Sequence, residues 1–123
     1  MIVGIGIDMI EVDRVVEKID KHKGFKEKVF SQSEIEFCEA NRKSENYAAR
    51  FAAKEAFLKA TGLGLMLGHE LSNIEVLHDS NGKPYINLTG DFKIHAERNE
   101  WNLIHLSLSH LREVACAVVI IER

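Results

Sequence analysis

Apolar residues alternate with Gly4 and Gly6 from Ile2 to Ile7, the pattern of a short buried strand on which another backbone comes close. Asp8 is expected at the C-terminal end of that strand. Val12, Val15, Val16 and Ile19 then change the spacing to i, i+3, i+4, i+7, which predicts an amphipathic helix broken at Gly24. Ser31-Gln32-Ser33-Glu34 reads as a capping box. Phe30 and Ile35 supply its hydrophobic staple, so a short helix should run to about Ala40. Ser44 is expected to cap a longer helix over 45–60, rich in alanine and free of proline, with Gly62 at its C′ position.

The second half returns to a period of two. Strands are predicted over 73–78 and 85–88, joined through Asp79-Ser80-Asn81-Gly82-Lys83-Pro84, whose Asn-Gly is a hairpin signal. A short helix is expected over 91–99. Leu103 to Ser109 and Val114 to Ile121 form a further strand pair across Leu111-Arg112-Glu113. The last run is apolar enough to be central in a sheet. No internal repeat, linker or low-complexity segment interrupts the 123 residues, which fit one domain spanning 1–123.

Composition narrows the class. With 46% hydrophobic and 28% charged residues the chain has globular rather than disordered character. Cys38 and Cys116 lie inside apolar periodic segments and not in a Cys-x-x-Cys pair, so buried free thiols and a reducing, cytoplasmic setting are expected. No signal-peptide pattern and no membrane-length apolar run occurs. A net charge of −3 and a pI near 6.1 give no support for broad nucleic-acid binding. Charge is uneven, however: six Lys or Arg stand against three Asp or Glu between Arg14 and Lys28. Such a run serves either as a solvated helix face or as an electrostatic footprint for an acidic protein.

The candidate chemistry centres on Glu55 and Lys59, one helical turn apart. They can neutralise each other as an i, i+4 pair. Alternatively, the stripe they share with Ala48 and Ala52 can turn them toward an interior cleft. Asp8 is likewise either a cap or turn residue before the Val12 helix or a carboxylate beside a helix N-terminus that attracts phosphate. Two carboxylates and an ammonium suit Mg²⁺ with a phosphate. His105, Ser107 and Ser109 alternate with Ile104, Leu106 and Leu108, giving one polar strand face that is either solvated or suited to a nucleotide. His105 and His110 lack the companions of a zinc site. The glycines at 62, 64 and 68 do not make a P-loop, and no Ser/His/Asp or Cys/His triad stands out.

Four segments together carry a resemblance: Gly6-Ile7-Asp8-Met9-Ile10-Glu11-Val12-Asp13-Arg14, Arg50-Phe51-Ala52-Ala53-Lys54-Glu55-Ala56-Phe57-Leu58-Lys59-Ala60, Gly82-Lys83-Pro84, and His105-Leu106-Ser107-Leu108-Ser109-His110. Their order and spacing resemble the small bacterial 4′-phosphopantetheinyl transferases of the holo-[acyl-carrier-protein] synthase family over essentially the whole chain. The resemblance implies an α+β fold, mainly antiparallel sheet packed against a long helix. It further implies transfer of 4′-phosphopantetheine from coenzyme A to a serine of apo-acyl carrier protein, in fatty acid biosynthesis, with release of adenosine 3′,5′-bisphosphate.

On that resemblance Asp8 and Glu55 hold Mg²⁺, Glu55 is also the candidate base, and Lys59 stabilises or protonates the leaving oxygen. Arg50, Lys83, Pro84, His105, Ser107, Ser109 and His110 are the expected coenzyme A contacts. Arg14 and the basic stretch after it are expected to meet the acidic carrier protein, and a homotrimer with sites at subunit interfaces is expected. Gly62-Leu63-Gly64-Leu65-Met66-Leu67-Gly68-His69 departs from the family's usual Gly-Thr-Gly-Ile at the start of that loop. From the residues alone, a Mg²⁺-dependent phosphohydrolase and a non-catalytic nucleotide-binding or interaction module are the competing readings.

Overall fold

The structure, a computed structural model, describes residues 1–64 and 70–123; Leu65–His69 of the departing loop lie outside the described residues. Strand β1 is Ile2–Glu11, longer than the alternation at its start implies. It pairs antiparallel with β5, Val114–Glu122, and β5 pairs antiparallel with β4, Leu103–His110. The order β1-β5-β4 puts the most apolar run in the middle, as its composition requires. A second, two-stranded sheet is the hairpin of β2, Ile74–His78, and β3, Pro84–Leu88. The fold is α+β with antiparallel sheets.

The extra length of β1 corrects one expectation. Asp8 does not end the strand or cap the following helix; it lies inside the ladder opposite Ala117. Only pairing with the last strand of the chain shows this.

Helix α1, Val12–Lys21, follows directly and buries Val12 and Val15. A short helix α2, Phe25–Val29, fills a stretch that the periodicity left without an element. Helix α3, Gln32–Asn41, begins with the expected capping box: the Glu34 amide donates to Ser31 Oγ at 3.2 Å and the Ser31 amide to Glu34 Oε1 at 2.9 Å.

Helix α4, Ser44–Thr61, runs through the core. Ser44 is its first helical residue and not its cap. Lys43 holds the cap position without a side-chain hydrogen bond. At the other end Gly62 takes a φ of 72°, the left-handed conformation that a C-terminal glycine supplies, and donates its amide to Leu58 O. Helix α5, Gly90–Arg98, completes the set.

The packing of α4 on β1 depends on two absent side chains. A Cβ at Gly4 would land on the carbonyl oxygen of Ala60, and one at Gly6 on that of Ala56. Ala52, Ala56 and Ala60 complete the close approach from the helix side, all buried. The inner face of the sheet is therefore sealed by α4, with Ala115, Ala117, Val119 and Ile121 of β5 in the core. The outer face is different. Val3, Ile5, Ile7 and Met9 of β1 and Leu103 of β4 are exposed. The register aligns Ile5, Ile7 and Met9 with the half-buried Ile120, Val118 and Cys116 of β5, and these in turn with His105, Ser107 and Ser109 of β4.

Candidate active site

Asp8 of β1 meets Lys59 of α4, and Glu55 of the same helix feels the charge of both. The Lys59 ammonium donates to Asp8 Oδ1 and to the Ile7 carbonyl oxygen, both at 3.0 Å. Lys59 thus pairs across elements and not with Glu55 along its own helix, which removes the local ion-pair reading of Glu55 and Lys59. Asp8 is 15% exposed at its side chain and Lys59 56%, so the acid is sheltered while the base reaches solvent.

Glu55 is half-buried. Its carboxyl is pushed above the ordinary range first by burial and then by the charge of Asp8, with Lys59 and Lys18 acting in opposition. Two carboxylates close enough to repel each other form a hard-oxygen donor set. Mg²⁺ is bound in such sites by one or two carboxylates plus substrate phosphates, so the pair fits that ion. Among the described residues no group of three or more His, Cys, Asp or Glu gathers as a larger cluster. Beside the carboxylates lies a cavity of about 330 Å³ lined by Glu55, Leu58, Lys59, Gly62, Gly64 and Leu71.

The remaining sequence candidates fall into two other groups. Arg50 is buried; its Nη1 donates to Asn46 O at 3.2 Å, its Nη2 lies 3.4 Å from His78 Nδ1, and its guanidinium packs 4.2 Å from the Phe37 ring centre. Its Nε has no partner among the described residues. His78 stands opposite Pro84 in the hairpin, and Lys83 is exposed beside it, its amide donating to Asp79 Oδ1 at 2.9 Å. Arg50 therefore sits with the hairpin end rather than with Glu55. The third group, His105, Ser107, Ser109 and His110, is exposed on β4, and His105 Nε2 stands 2.7 Å from Glu122 Oε2.

Helix α1 links the site to the basic surface. Arg14 and Lys21 point to solvent, while Lys18 lies 5.5 Å from the Phe51 ring centre and 6.0 Å from that of Phe25, on the side that Glu55 senses.

The family model described as 4′-phosphopantetheinyl transferase superfamily matches residues 4–119, the span that contains Asp8, Arg50, Glu55, Lys59, the Lys83-Pro84 hairpin and the exposed groups of β4. The chain belongs to that superfamily. As a phosphopantetheinyl transferase it is an enzyme, and its relatives agree in name and in shape. A holo-[acyl-carrier-protein] synthase of Syntrophus aciditrophicus (strain SB) is 46% identical over 125 residues, covering 99% of this chain and 97% of the relative. The crystal structure of holo-[acyl-carrier-protein] synthase from Neisseria meningitidis superposes with a TM-score of 0.90 at 31% identity, covering 100% of each chain. The holo-(acyl-carrier-protein) synthase from Bacillus anthracis str. Ames in complex with CoA (3′,5′-ADP) gives 0.79 at 37% identity, over 98% of this chain and 96% of that one.

Sequence reasoning missed one part of this transferase. Lys54 and Glu34 are fully buried and form an ion pair of 2.7 Å. Burial pushes the Lys54 ammonium below its ordinary range, and the Glu34 carboxylate opposes that shift. The available signal was position: Lys54 falls on the stripe of Tyr47, Phe51 and Leu58, where a charge needs a buried partner. Reading Glu34 only as a cap concealed that partner.

Proposed function

We propose that this chain transfers 4′-phosphopantetheine from coenzyme A to a serine hydroxyl of apo-acyl carrier protein in a Mg²⁺-dependent reaction and releases adenosine 3′,5′-bisphosphate. The observation that carries the reading is the pairing of Asp8 with Lys59 and its charge on Glu55, the two helix residues lining one cavity. These residues come from the first strand and the long helix of a chain whose relatives are holo-[acyl-carrier-protein] synthases.

Asp8 and Glu55 are the residues that would hold Mg²⁺, which when bound offsets charge on the coenzyme A pyrophosphate and polarises the attacked phosphorus. Glu55, with its raised pKa, accepts the proton of the serine hydroxyl, directly or through water. The serine oxygen forms a bond to the phosphorus that carries pantetheine, and the bond from that phosphorus to the bridging oxygen breaks. Lys59 stabilises the departing oxygen with its ammonium, exchanging Asp8 Oδ1 for the phosphate. The arrangement works by positioning and charge, and needs no covalent enzyme intermediate.

Arg50 with the Lys83-Pro84 hairpin and the His105–His110 strand provide the coenzyme A contacts in this reading. The three groups are separate within one chain, which favours sites completed by a second subunit. The outer sheet face supports assembly: its exposed Val3, Ile5, Ile7 and Met9 form an apolar surface of the kind that marks an interface, here that of a homotrimer. Arg14 and the basic residues after it offer an acidic carrier protein a docking face that continues through Lys18 to Glu55. Residues 1–123 act as one transferase domain in this account. A role in fatty acid biosynthesis and a cytoplasmic location follow from the reaction; among the described residues, no helix is long and apolar enough to cross a membrane.

Incubation with coenzyme A, Mg²⁺ and apo-acyl carrier protein, followed by mass spectrometry of the carrier, tests the reaction. A gain of one phosphopantetheine group is expected. An unmodified carrier would overturn the proposal, and adenosine bisphosphate formed without carrier would replace it with hydrolysis.

A further inference from the structure

The Lys54 ammonium has three hydrogens and three acceptors: Glu34 Oε1 at 2.7 Å, Leu71 O at 3.1 Å and Ile74 O at 2.5 Å. Glu34 is equally committed. Its Oε1 also accepts from the Ser31 amide at 2.9 Å, and its Oε2 accepts from the Val76 amide at 3.1 Å. Both side chains are fully buried. One ion pair therefore ties together the start of α3, the middle of α4 and the chain from Leu71 to Val76.

Charge buried this deeply is weak evidence for stability, because apolar residues of equal volume often hold a core as well or better. What an apolar pair cannot do is hold two carbonyls and an amide at fixed places. Those groups belong to the segment whose Leu71 lines the cavity together with Glu55, Leu58 and Lys59. Lys54 is also the immediate neighbour of Glu55, so the same turn of α4 presents one residue to the reaction and the other to that segment.

We infer that Lys54 and Glu34 are positioning residues for phosphopantetheinyl transfer: their buried pair fixes Leu71 against the catalytic face of α4 and so sets the width of the cavity at Glu55 and Lys59. The inference rests on the transfer reaction proposed above and adds two residues that touch neither substrate. Misplacement of a catalytic wall by about 1 Å costs on the order of a hundredfold in rate, which sets the expected effect. Carrier docking on α1 lies on other elements and should be unaffected.

The test compares the wild-type protein with Lys54→Met, Glu34→Gln and the double variant in the transfer assay, varying coenzyme A and carrier protein separately. Rates are taken per folded molecule, at a temperature where circular dichroism shows each variant native. The expected result is a fall in kcat of about tenfold to a hundredfold, with a raised KM for coenzyme A and an unchanged KM for the carrier. Should Lys54→Met fail to fold, Glu34→Gln keeps the side-chain shape and an oxygen acceptor for Lys54, and its kcat decides the question. Wild-type kcat in folded variants, with only a lowered melting temperature, would overturn the positioning role and leave the transferase intact. No transfer by the wild-type protein would remove the reaction and, with it, the role assigned to both residues.

Discussion

Gly6→Ala places one methyl group between β1 and α4, and the structure gives the scale of its effect. The new Cβ would overlap Ala56 O and lie 2.7 Å from Ala60 N, where ordinary contact begins at 3.4 Å. The helix must retreat by 0.7 Å (3.4 − 2.7) on account of Ala60 N alone, and further for Ala56 O. Both obstacles are backbone atoms within one helix, so no rotamer change absorbs the strain. Overpacking of this kind costs about 3 kcal/mol, a large part of the stability of a small domain.

Urea unfolding followed by the fluorescence of Trp101, whose ring packs 6.0 Å from Phe57, reads that loss. With a slope of about 1.5 kcal/mol per molar, the midpoint should fall by about 2 M at fixed protein concentration. Because Asp8 lies two residues along the same strand and Glu55 on the displaced helix, the carboxylates also separate. Transfer per folded molecule should then drop on the order of a hundredfold. A midpoint within about 0.3 M of wild type, or an unchanged rate, would refute the claim that glycine sets the spacing of the site.

Asp8→Asn and Glu55→Gln should each abolish Mg²⁺-dependent transfer in the carrier mass assay. The raised pKa of Glu55 means that its ionised form opposes folding above that pKa and ceases to do so as pH falls through it. Glu55→Gln should therefore melt no lower than wild type at neutral pH, and a clear loss of melting temperature would contradict the sign. Ile7→Glu, on the exposed apolar sheet face, should shift sedimentation from trimer to monomer and cost activity; an unchanged sedimentation profile would place the subunit contact elsewhere. Cys38 is buried with its thiol pushed up to about 11, so at pH 8 about one molecule in a thousand carries the thiolate. Peptide mapping after brief iodoacetamide treatment should find it unlabelled until the chain is unfolded.

The elements set by local chemistry were legible in the chain itself. Gly4 and Gly6 announced a close backbone, Ser31 and Glu34 a capping box, and the apolar run at the end a central strand; each holds in the structure. What was hidden depends on partners far away in sequence. Residues 8–11 extend β1 because Val114 to Ala117 pair with them, so Asp8 could not be told from a turn residue by its neighbours. The bond from Lys59 to Asp8 spans 51 positions and that from Lys54 to Glu34 spans 20. Ser44 looked like a cap because its type is right, yet Lys43 holds that place, and type alone does not fix the phase of a helix start.

The central strand of the three-stranded sheet is the last one in the sequence, which gives the molecule an order of assembly. Until Val114–Glu122 has left the ribosome, β1 and β4 have no strand between them, although both already exist. Contacts of such long sequence separation form slowly, and the waiting strand edges are exposed meanwhile. Asp8 takes its place opposite Ala117 only after that final strand inserts, so a nascent chain stalled before residue 114 holds Asp8, Glu55 and Lys59 and should show no transfer.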